Sequence, residues 1–193
     1  MASGDKPEIE TLSSRVVYQN RWMTVREDAI RRRDGSQGIY GVVDKVDFTA
    51  IVPLEPDGSI HLVEQFRYPV GERFWEVPQG SWELEPEADP LIVAQGELRE
   101  ETGLLAGEIV EFGYLFQGYG YSNQGCHVFL ARQLSQQARH LDHEEQDLIC
   151  RRFPASEVLA MIQNGQIRDA ITVAAIGLLA MKGLLPQAPG SST

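Results

Sequence analysis

Three glutamates, Glu97, Glu100 and Glu101, fall within one short predicted helix. At about 100° per residue, Glu97 and Glu101 share a helix face and Glu100 borders it. Like charges at this spacing repel each other, so they destabilise an isolated helix. A hard divalent cation such as Mg²⁺ or Mn²⁺ would relieve the repulsion, because it prefers oxygen ligands and leaves coordination positions for substrate phosphates. The alternative interpretation is a solvated acidic face that is salt-bridged to Arg99 or to other surface cations.

The helix that carries these carboxylates has recognisable signals at both ends. Asp89 is a suitable N-cap, Pro90 suits the first helical position, and Gly103 suits the position after the last turn. These signals predict a helix from Pro90 to Thr102. Its apolar stripe toward the core is predicted to contain Leu91, Ala94, Leu98 and Leu105, with the carboxylates on another side.

The segment from Gly80 to Leu104 resembles the Nudix box, the motif of the Nudix hydrolases. The usual pattern of that box is G-x5-E-x7-R-E-U-x-E-E-x-G-U, where U is aliphatic. The run ELREETGL at residues 97–104 matches the last eight positions in full. The loop after Gly80 is two residues longer than the pattern, which leaves Glu85 and Glu87 as alternatives for the middle glutamate.

A second departure from the pattern is Gly96, which stands where the box has an arginine. In the family that arginine helps to orient the glutamates. The resemblance therefore implies either that another cation such as Arg99 replaces it or that the metal is bound more weakly. The metal ligands implied by the resemblance, for Mg²⁺ or Mn²⁺, are Glu97, Glu100, Glu101 and the backbone carbonyl of Gln79.

The run before the box also resembles a family segment. Phe74 to Gly80 is similar to the L-W-E-L-P-A-G run of ADP-ribose pyrophosphatases, and residues 65–68 match their Q-Y-R-like segment. We expect Arg67 to bind a substrate phosphate, because a guanidinium matches the paired oxygens of a pyrophosphate. The alternative for Arg67 is an ion pair with Glu72 or Glu76. Glu76 is interpreted as a contact to a substrate hydroxyl or as a structural partner of Arg67, with the structural role favoured.

Two loops complete the candidate site. The loop at residues 117–124 is rich in glycine and tyrosine, and Tyr121 could stack on a nucleobase or close one end of the fold. The acidic loop at residues 140–146 resembles the loop that supplies the water-positioning glutamate in ADP-ribose pyrophosphatases. This resemblance makes Glu144 or Glu145 the candidate base, since Gln146 cannot accept a proton as a base. The alternative is an ordinary solvated loop.

The composition limits the remaining function classes. With 193 residues, of which 42% are hydrophobic, the chain suits one globular domain. A net charge of −11 argues against nucleic acid as a partner and requires local cations at any phosphate site. Cys126 and Cys150 suggest reduced thiols in a cytoplasmic protein. The polar start shows no secretory signal, and the apolar stretch from Ala170 to Leu185 is too short for a membrane span.

The order of strand-like and helical segments, together with the resemblance, predicts an α/β fold. We expect a Nudix-type α/β/α sandwich with a mixed sheet and an N-terminal β-hairpin extension. Residues 1–13 and 187–193 are predicted as flexible tails, residues 14–47 as a hairpin region packed on the domain or on a partner subunit, and residues 48–186 as the Nudix domain. Strands are predicted from Arg15 to Asn20, from Met23 to Arg33 and from Ile39 to Val46. The resemblance implies a homodimer formed through this hairpin.

The resemblance implies a function as well. A Nudix chain of this type would use Mg²⁺ to hydrolyse the pyrophosphate bond of ADP-ribose or a related nucleoside diphosphate sugar, giving a nucleoside monophosphate and a sugar phosphate. The implied catalytic residues are Glu100, Glu101, Glu144 and Glu145. One alternative is a Nudix hydrolase of dinucleoside polyphosphates or RNA 5′ ends, suggested by the W-x-x-P-Q-G run at residues 75–80. Another is a catalytically weak Nudix domain that senses a nucleotide, suggested by Gly96 and Gln146.

Overall fold

The computed structural model describes residues 7–137 and 147–185, which form ten strands and three helices. The strands before the first helix are β1 (Ile9–Gln19), β2 (Thr24–Arg32), β3 (Gln37–Asp44), β4 (Phe48–Pro53), β5 (Ser59–Arg67), β6 (Glu72–Glu76) and β7 (Gln79–Gly80). They are followed by α1 (Pro90–Thr102), β8 (Leu104–Phe116), β9 (Gly125–Gln136), β10 (Ile149–Pro154), α2 (Ala155–Gln163) and α3 (Ala170–Met181).

The first compact unit contains the described residues 7–46 together with residues 116–124. Its three strands form an antiparallel sheet in the order β1-β2-β3, and Gly35 at the β2–β3 turn has a φ of 85°. The predicted hairpin is therefore confirmed. However, β1 begins at Ile9, whereas the sequence predicted a strand only from Arg15. The polar residues between these positions lack an alternating apolar pattern, and they form a strand because they pair with β2 from Ile9 opposite Arg32 onward.

The second compact unit contains residues 47–115 and the described residues from 125 onward. One of its sheets has the order β7-β4-β9-β8 and is mixed, because β4 runs parallel to β9 and antiparallel to β7. The other sheet is antiparallel, in the order β10-β5-β6. The mixed sheet agrees with the sequence prediction.

Strand β4 lies at the centre of this unit and is buried on both faces. Ala50 and Val52 pack in a core that includes residues of α2 and α3, while Ile51 packs with Ala94 and Leu98 of α1. All six residues of β4 are buried, as expected for a strand with a helix on each side. This arrangement confirms the predicted α/β/α sandwich.

Helix α1 has the bounds that the sequence predicted. The Asp89 side chain accepts a hydrogen bond from the Leu91 N–H, and Gly103 ends the helix with a φ of 72°. The predicted direction of its faces is wrong, because Leu91 is exposed while Glu97 and Glu101 are buried together with Ala94 and Leu98. Positions 94, 97, 98 and 101 have the i, i+3, i+4, i+7 spacing of a single helix face. The carboxylates therefore lie on the core side.

Helix α3 is fixed to the segment between β6 and β7 by a buried hydroxyl. The Thr172 hydroxyl donates to Asp169 Oδ2 at 2.7 Å and accepts the Val77 N–H at 3.0 Å. Asp169 also caps the helix by accepting the Thr172 N–H at 2.7 Å. Because Val77 and Thr172 are fully buried, this hydroxyl satisfies a backbone donor that water cannot reach. It thereby positions the chain three residues before Gly80.

No helix in the described part of the chain is long and apolar enough to cross a membrane. The two cysteines, both within the described residues, are not joined in a disulfide. Cys126 is buried in β9, and burial raises the pKa of its thiol to about 12, so it is protonated at neutral pH. These features agree with the interpretation of Cys126 as a buried thiol, while the cytoplasmic location stays a prediction.

The bond between α3 and the β6–β7 segment gives a first testable prediction. Replacing Thr172 by Val removes the acceptor of the buried Val77 N–H, so we expect the free energy of unfolding to fall by about 1–3 kcal/mol. Thr172→Ser keeps the hydroxyl and is expected to lose less stability, about 1 kcal/mol for the missing methyl group. Urea denaturation followed by circular dichroism measures both variants. Equal losses in the two variants would show that the hydroxyl does not stabilise the fold.

Candidate functional site

The acidic face of α1 lies against the backbone of β7. A Cβ atom at Gly80 would overlap the Glu97 carboxylate, so only glycine allows the strand to lie this close to the side chain. The Gln79 N–H donates a hydrogen bond to Glu101 Oε2 at 3.0 Å. Glu97 is 6% exposed and Glu101 is fully buried, whereas Glu100 is half-buried. The structure therefore brings together Gln79, Gly80, Glu97 and Glu101, with Glu100 on the same helix.

The donor atoms at this site are suited to a hard divalent cation. Carboxylate oxygens are the ligands that Mg²⁺ and Mn²⁺ prefer, and burying two carboxylates on one helix face disfavours their charged forms unless a positive charge is near. Within residues 7–137 and 147–185, no three side chains of His, Cys, Asp or Glu converge closely enough to form a ready metal centre. The residues fit a divalent cation by their chemistry and their burial.

Arg67 and Glu76 form an ion pair next to this face. Arg67 Nε lies 3.2 Å from Glu76 Oε2, and an Arg67 Nη atom lies 2.5 Å from Glu76 Oε1. Glu76 is 2% exposed, and burial raises the pKa of its carboxyl group, while the Arg67 charge acts in the opposite direction. The ion pair that the sequence left open is thus made with Glu76 and not with Glu72.

Gln79 connects this ion pair with the acidic helix. Its side-chain amide donates to Glu76 Oε2 at 3.1 Å, while its backbone N–H bonds to Glu101. The sequence pointed only to the Gln79 carbonyl as a metal ligand and did not predict either of these bonds. The available signal was the glutamine itself, since it stands where the resembling segment has alanine.

A second contact that the sequence did not predict lies on the same helix. A Cβ atom at Gly96 would overlap the indole of Trp82, so the ring occupies the space beside the helix where the box has an arginine. Arg99 is exposed and lies at i+3 from Gly96, about one turn along α1, and its role as a replacement for that arginine stays a prediction. The glycine inside a helix was the sequence signal, because such a residue costs about 1 kcal/mol relative to alanine.

The remaining candidates are two loop glutamates, one tyrosine and two glutamates outside the described residues. Glu85 and Glu87 are both exposed in the loop before α1. Tyr121 belongs to the unit of the three-stranded sheet, where its carbonyl accepts the Val43 N–H at 2.7 Å. Glu144 and Glu145 fall outside the described residues. Their roles, like that of Tyr121, stay predictions.

Comparison with known proteins gives two family matches along the chain. Residues 45–175 match the model of the NUDIX domain, and residues 9–43 match the model of the nucleoside diphosphate sugar hydrolase N-terminal domain. The boundary between these matches falls close to the boundary between the two compact units at residues 46 and 47.

Curated relatives and a solved structure cover nearly the whole chain. An ADP-ribose pyrophosphatase of Mycobacterium tuberculosis is 31% identical, over 88% of this chain and 82% of the relative. An ADP-ribose pyrophosphatase of Bacillus subtilis is 26% identical, over 92% of this chain and 96% of the relative. A crystal structure described as an ADP compounds hydrolase shares the fold with a TM-score of 0.79 at 19% identity, over 92% of this chain and 97% of the other.

The ion pair at Glu76 gives a prediction about pH. Replacing Arg67 by Gln removes the charge that lowers the pKa of the buried Glu76 carboxyl group, so this pKa should rise further above its ordinary value of 4.5. The folded state then holds a proton that the unfolded state has lost, so the variant loses stability relative to the wild type as the pH rises. We expect a loss of about 1–3 kcal/mol at pH 8, below that of a fully buried pair because the Arg67 side chain is 39% exposed.

Urea denaturation at several pH values between 5 and 8 measures this difference. The double variant Arg67→Gln/Glu76→Gln is the control, because it has no carboxyl group to titrate at position 76. Its stability relative to the wild type should depend less on pH than that of Arg67→Gln. A loss in Arg67→Gln that is the same at pH 5 and pH 8 would contradict the role of Glu76.

Proposed function

The chain belongs to the NUDIX family and is a Nudix pyrophosphohydrolase, and from this premise we propose that it hydrolyses ADP-ribose or a related nucleoside diphosphate sugar. Cleavage of the pyrophosphate bond by water gives a nucleoside monophosphate and a sugar phosphate, which for ADP-ribose are AMP and ribose 5-phosphate. The observation that carries the proposal is the burial of Glu97 and Glu101 on one face of α1, against the backbone of β7. The names of two relatives and the match of residues 9–43 support this substrate class.

We propose Mg²⁺, or Mn²⁺ in its place, as the cofactor. Glu97 and Glu101 are the proposed ligands, with Glu100 and the Gln79 carbonyl completing the set. When bound, the cation supplies charge neutralisation at the pyrophosphate and Lewis-acid activation of the attacking water. The chain's own contribution is to position the carboxylates. The Gln79 N–H donates a hydrogen bond to Glu101, and Gly80, which has no side chain, leaves room for the Glu97 carboxylate beside β7.

Arg67 is the proposed contact to a substrate phosphate. Its guanidinium group carries five N–H donors, and the bonds to Glu76 use only part of this set. Because the side chain is 39% exposed, its remaining donors are accessible to an anion from solvent. In this proposal Glu76 orients the guanidinium group, and the guanidinium stabilises the charge that grows on the phosphate oxygens.

The proton acceptor of the reaction is assigned to a carboxylate near the cation. Glu100 is half-buried on α1, beside the two buried glutamates, and is one candidate. Glu144 and Glu145, which the family resemblance suggests, are the others. Tyr121 is proposed to stack on the base of the nucleotide.

The proposed dimer rests on the surface of the three-stranded sheet. All residues of β1 are exposed, and they include Val16, Val17 and Tyr18 at 59%, 48% and 55% exposure. Ile39 on β3 is 68% exposed. Apolar side chains exposed on a sheet at this density are typical of an interface with another chain, and we propose a second copy of this chain as the partner.

A substrate panel tests the function. The purified protein, incubated with Mg²⁺, should release AMP and ribose 5-phosphate from ADP-ribose, and addition of EDTA should abolish the release. Other nucleotide sugars, dinucleoside polyphosphates and capped RNA complete the panel, with products separated by liquid chromatography. Faster hydrolysis of the last two classes would contradict the substrate assignment. Tight binding of ADP-ribose without release of AMP would favour a nucleotide-sensing domain instead.

The same assay applied to Glu101→Gln tests the site. The glutamine keeps a carbonyl oxygen that can accept the Gln79 N–H, so the fold should be retained. Turnover should fall by about 100-fold or more, because even residues that only support a metal ligand contribute 10–100-fold. Glu157→Gln, an exposed glutamate in the first turn of α2, is the matched control and should keep full activity. Unimpaired hydrolysis by Glu101→Gln would refute the assignment.

Sedimentation equilibrium tests the dimer. The wild type should have about twice the chain mass of 21.6 kDa. The double variant Tyr18→Glu/Ile39→Glu places two charges on one face of the sheet, because Tyr18 lies opposite Val25 and Ile39 opposite Ala29, and it should sediment as a monomer. Met181→Glu makes the same kind of change at an exposed residue at the end of α3 and should not dissociate the dimer. A wild type that sediments at the mass of one chain would contradict the proposal.

A further inference from the structure

The side chain of Trp82 takes the place of a missing helix side chain. The loop before α1 carries this tryptophan, and its ring lies so close to Gly96 that a Cβ atom there would overlap it. Two further ring atoms would lie 3.2 Å and 3.3 Å from such a Cβ. Since a glycine inside a helix costs about 1 kcal/mol relative to alanine, the chain keeps a less stable helix residue where the indole packs.

The same loop is held against α1 at a second point. Gly80 at the end of β7 lies against the Glu97 carboxylate, and Trp82 in the loop lies against Gly96, so residues two positions apart contact neighbouring helix residues. Beyond Trp82 the chain turns, and the Glu85 N–H donates to the Trp82 carbonyl at 3.0 Å. Trp82 therefore lies between the end of β7 and this turn, with its indole against Gly96.

We propose that Trp82 is a positioning residue for the acidic face of α1. Its ring, packed on Gly96, holds the Gly80 backbone against the Glu97 carboxylate and so sets the geometry in which Glu97 and Glu101 bind a divalent cation. This inference rests on the proposed function, since it takes that cation to bind at these two carboxylates. A rigid aromatic ring suits this role, because it covers a large area at a small cost in conformational entropy.

The choice of cation gives a signature that a purely structural role would not produce. Mg²⁺ requires near-ideal octahedral geometry with oxygen ligands at about 2.0–2.1 Å, whereas Ca²⁺ accepts flexible geometry at about 2.3–2.6 Å. If Trp82 sets the position of the carboxylates, its loss should weaken the binding of Mg²⁺ and Mn²⁺ more than that of Ca²⁺. A general loss of stability would instead weaken all three alike.

The test measures cation binding to the full chain without any substrate. Free Mn²⁺ is followed by electron paramagnetic resonance during titration, with Mg²⁺ and Ca²⁺ as competitors. We expect Trp82→Ala to weaken Mn²⁺ binding about 10–100-fold, the range for residues that support metal ligands, and Trp82→Phe to lose less. Gly96→Ala should weaken it as well, because its Cβ displaces the indole. In the Trp82→Ala background, Gly96→Ala should cause no further loss.

Gly177→Ala is the matched control for the glycine substitution. Gly177 also lies inside a helix, and a Cβ atom there would have no neighbour within 4 Å. Helix propensity alone predicts that Gly96→Ala and Gly177→Ala both gain stability. The contact with Trp82 is the difference between the two sites that the comparison tests. Mn²⁺ affinity should be unchanged in Gly177→Ala.

Several outcomes would overturn the inference. Trp82→Ala with wild-type Mn²⁺ affinity and wild-type cation selectivity would exclude a positioning role, even if its stability in urea were lower. Additive losses in the double variant would show that Trp82 and Gly96 do not act through one contact.

If Trp82→Ala does not fold, Trp82→Phe and Gly96→Ala decide in its place by the same measurement. A wild type that binds no Mn²⁺ would refute the metal site of the proposed function and this inference with it, whereas normal wild-type binding with unaffected variants refutes only the inference.

Discussion

The site depends on the burial of two like charges on the core side of α1. Glu97 and Glu101 follow Ala94 and Leu98 around one helix face, so the packing that buries the apolar residues also removes the carboxylates from water. A buried carboxylate needs a hydrogen bond or a positive charge near it. Strand β7 supplies part of this need through the Gln79 N–H at its start, and Gly80 allows the strand to approach closely enough.

The fold supplies rigid supports for this arrangement. Strand β4, buried on both faces, carries α1 on one side and α3 on the other. The Thr172 hydroxyl joins α3 to Val77, and the chain then leads within three residues to Gly80. The position of a short strand at the site is thus determined by hydrogen bonds at its start and by helix contacts at its end.

The sequence predicted those parts of the molecule that local signals determine. The bounds of α1 follow from Asp89, Pro90 and Gly103, and they are confirmed because caps act within one turn of the helix. Features that depend on tertiary packing were missed or left open. The helical spacing predicts Leu91 as a core residue, but its side chain is exposed, and the early start of β1 depends on pairing with β2. The contact of Trp82 with Gly96 joins a loop to a helix, and no periodic pattern reports such a contact.

For Arg67, the sequence leaves two glutamates, Glu72 and Glu76, as alternative ion-pair partners. Arg67 pairs with the buried Glu76, although the strand register sets it opposite the exposed Glu72, because a buried carboxylate gains more from a counter-charge.

Gln79 has a consequence for the thermodynamics of ligand binding. Its amide bonds to Glu76 and its backbone N–H bonds to Glu101, so one residue belongs to both the arginine pair and the acidic helix. A ligand that changes the position of Glu101 alters a residue that also holds the partner of Arg67. Coupling of this kind is reciprocal, because each ligand changes the affinity for the other by the same factor. In the proposed function, the binding of an anion at Arg67 and the binding of a cation at α1 are therefore linked equilibria, and the affinity for either ligand depends on the concentration of the other.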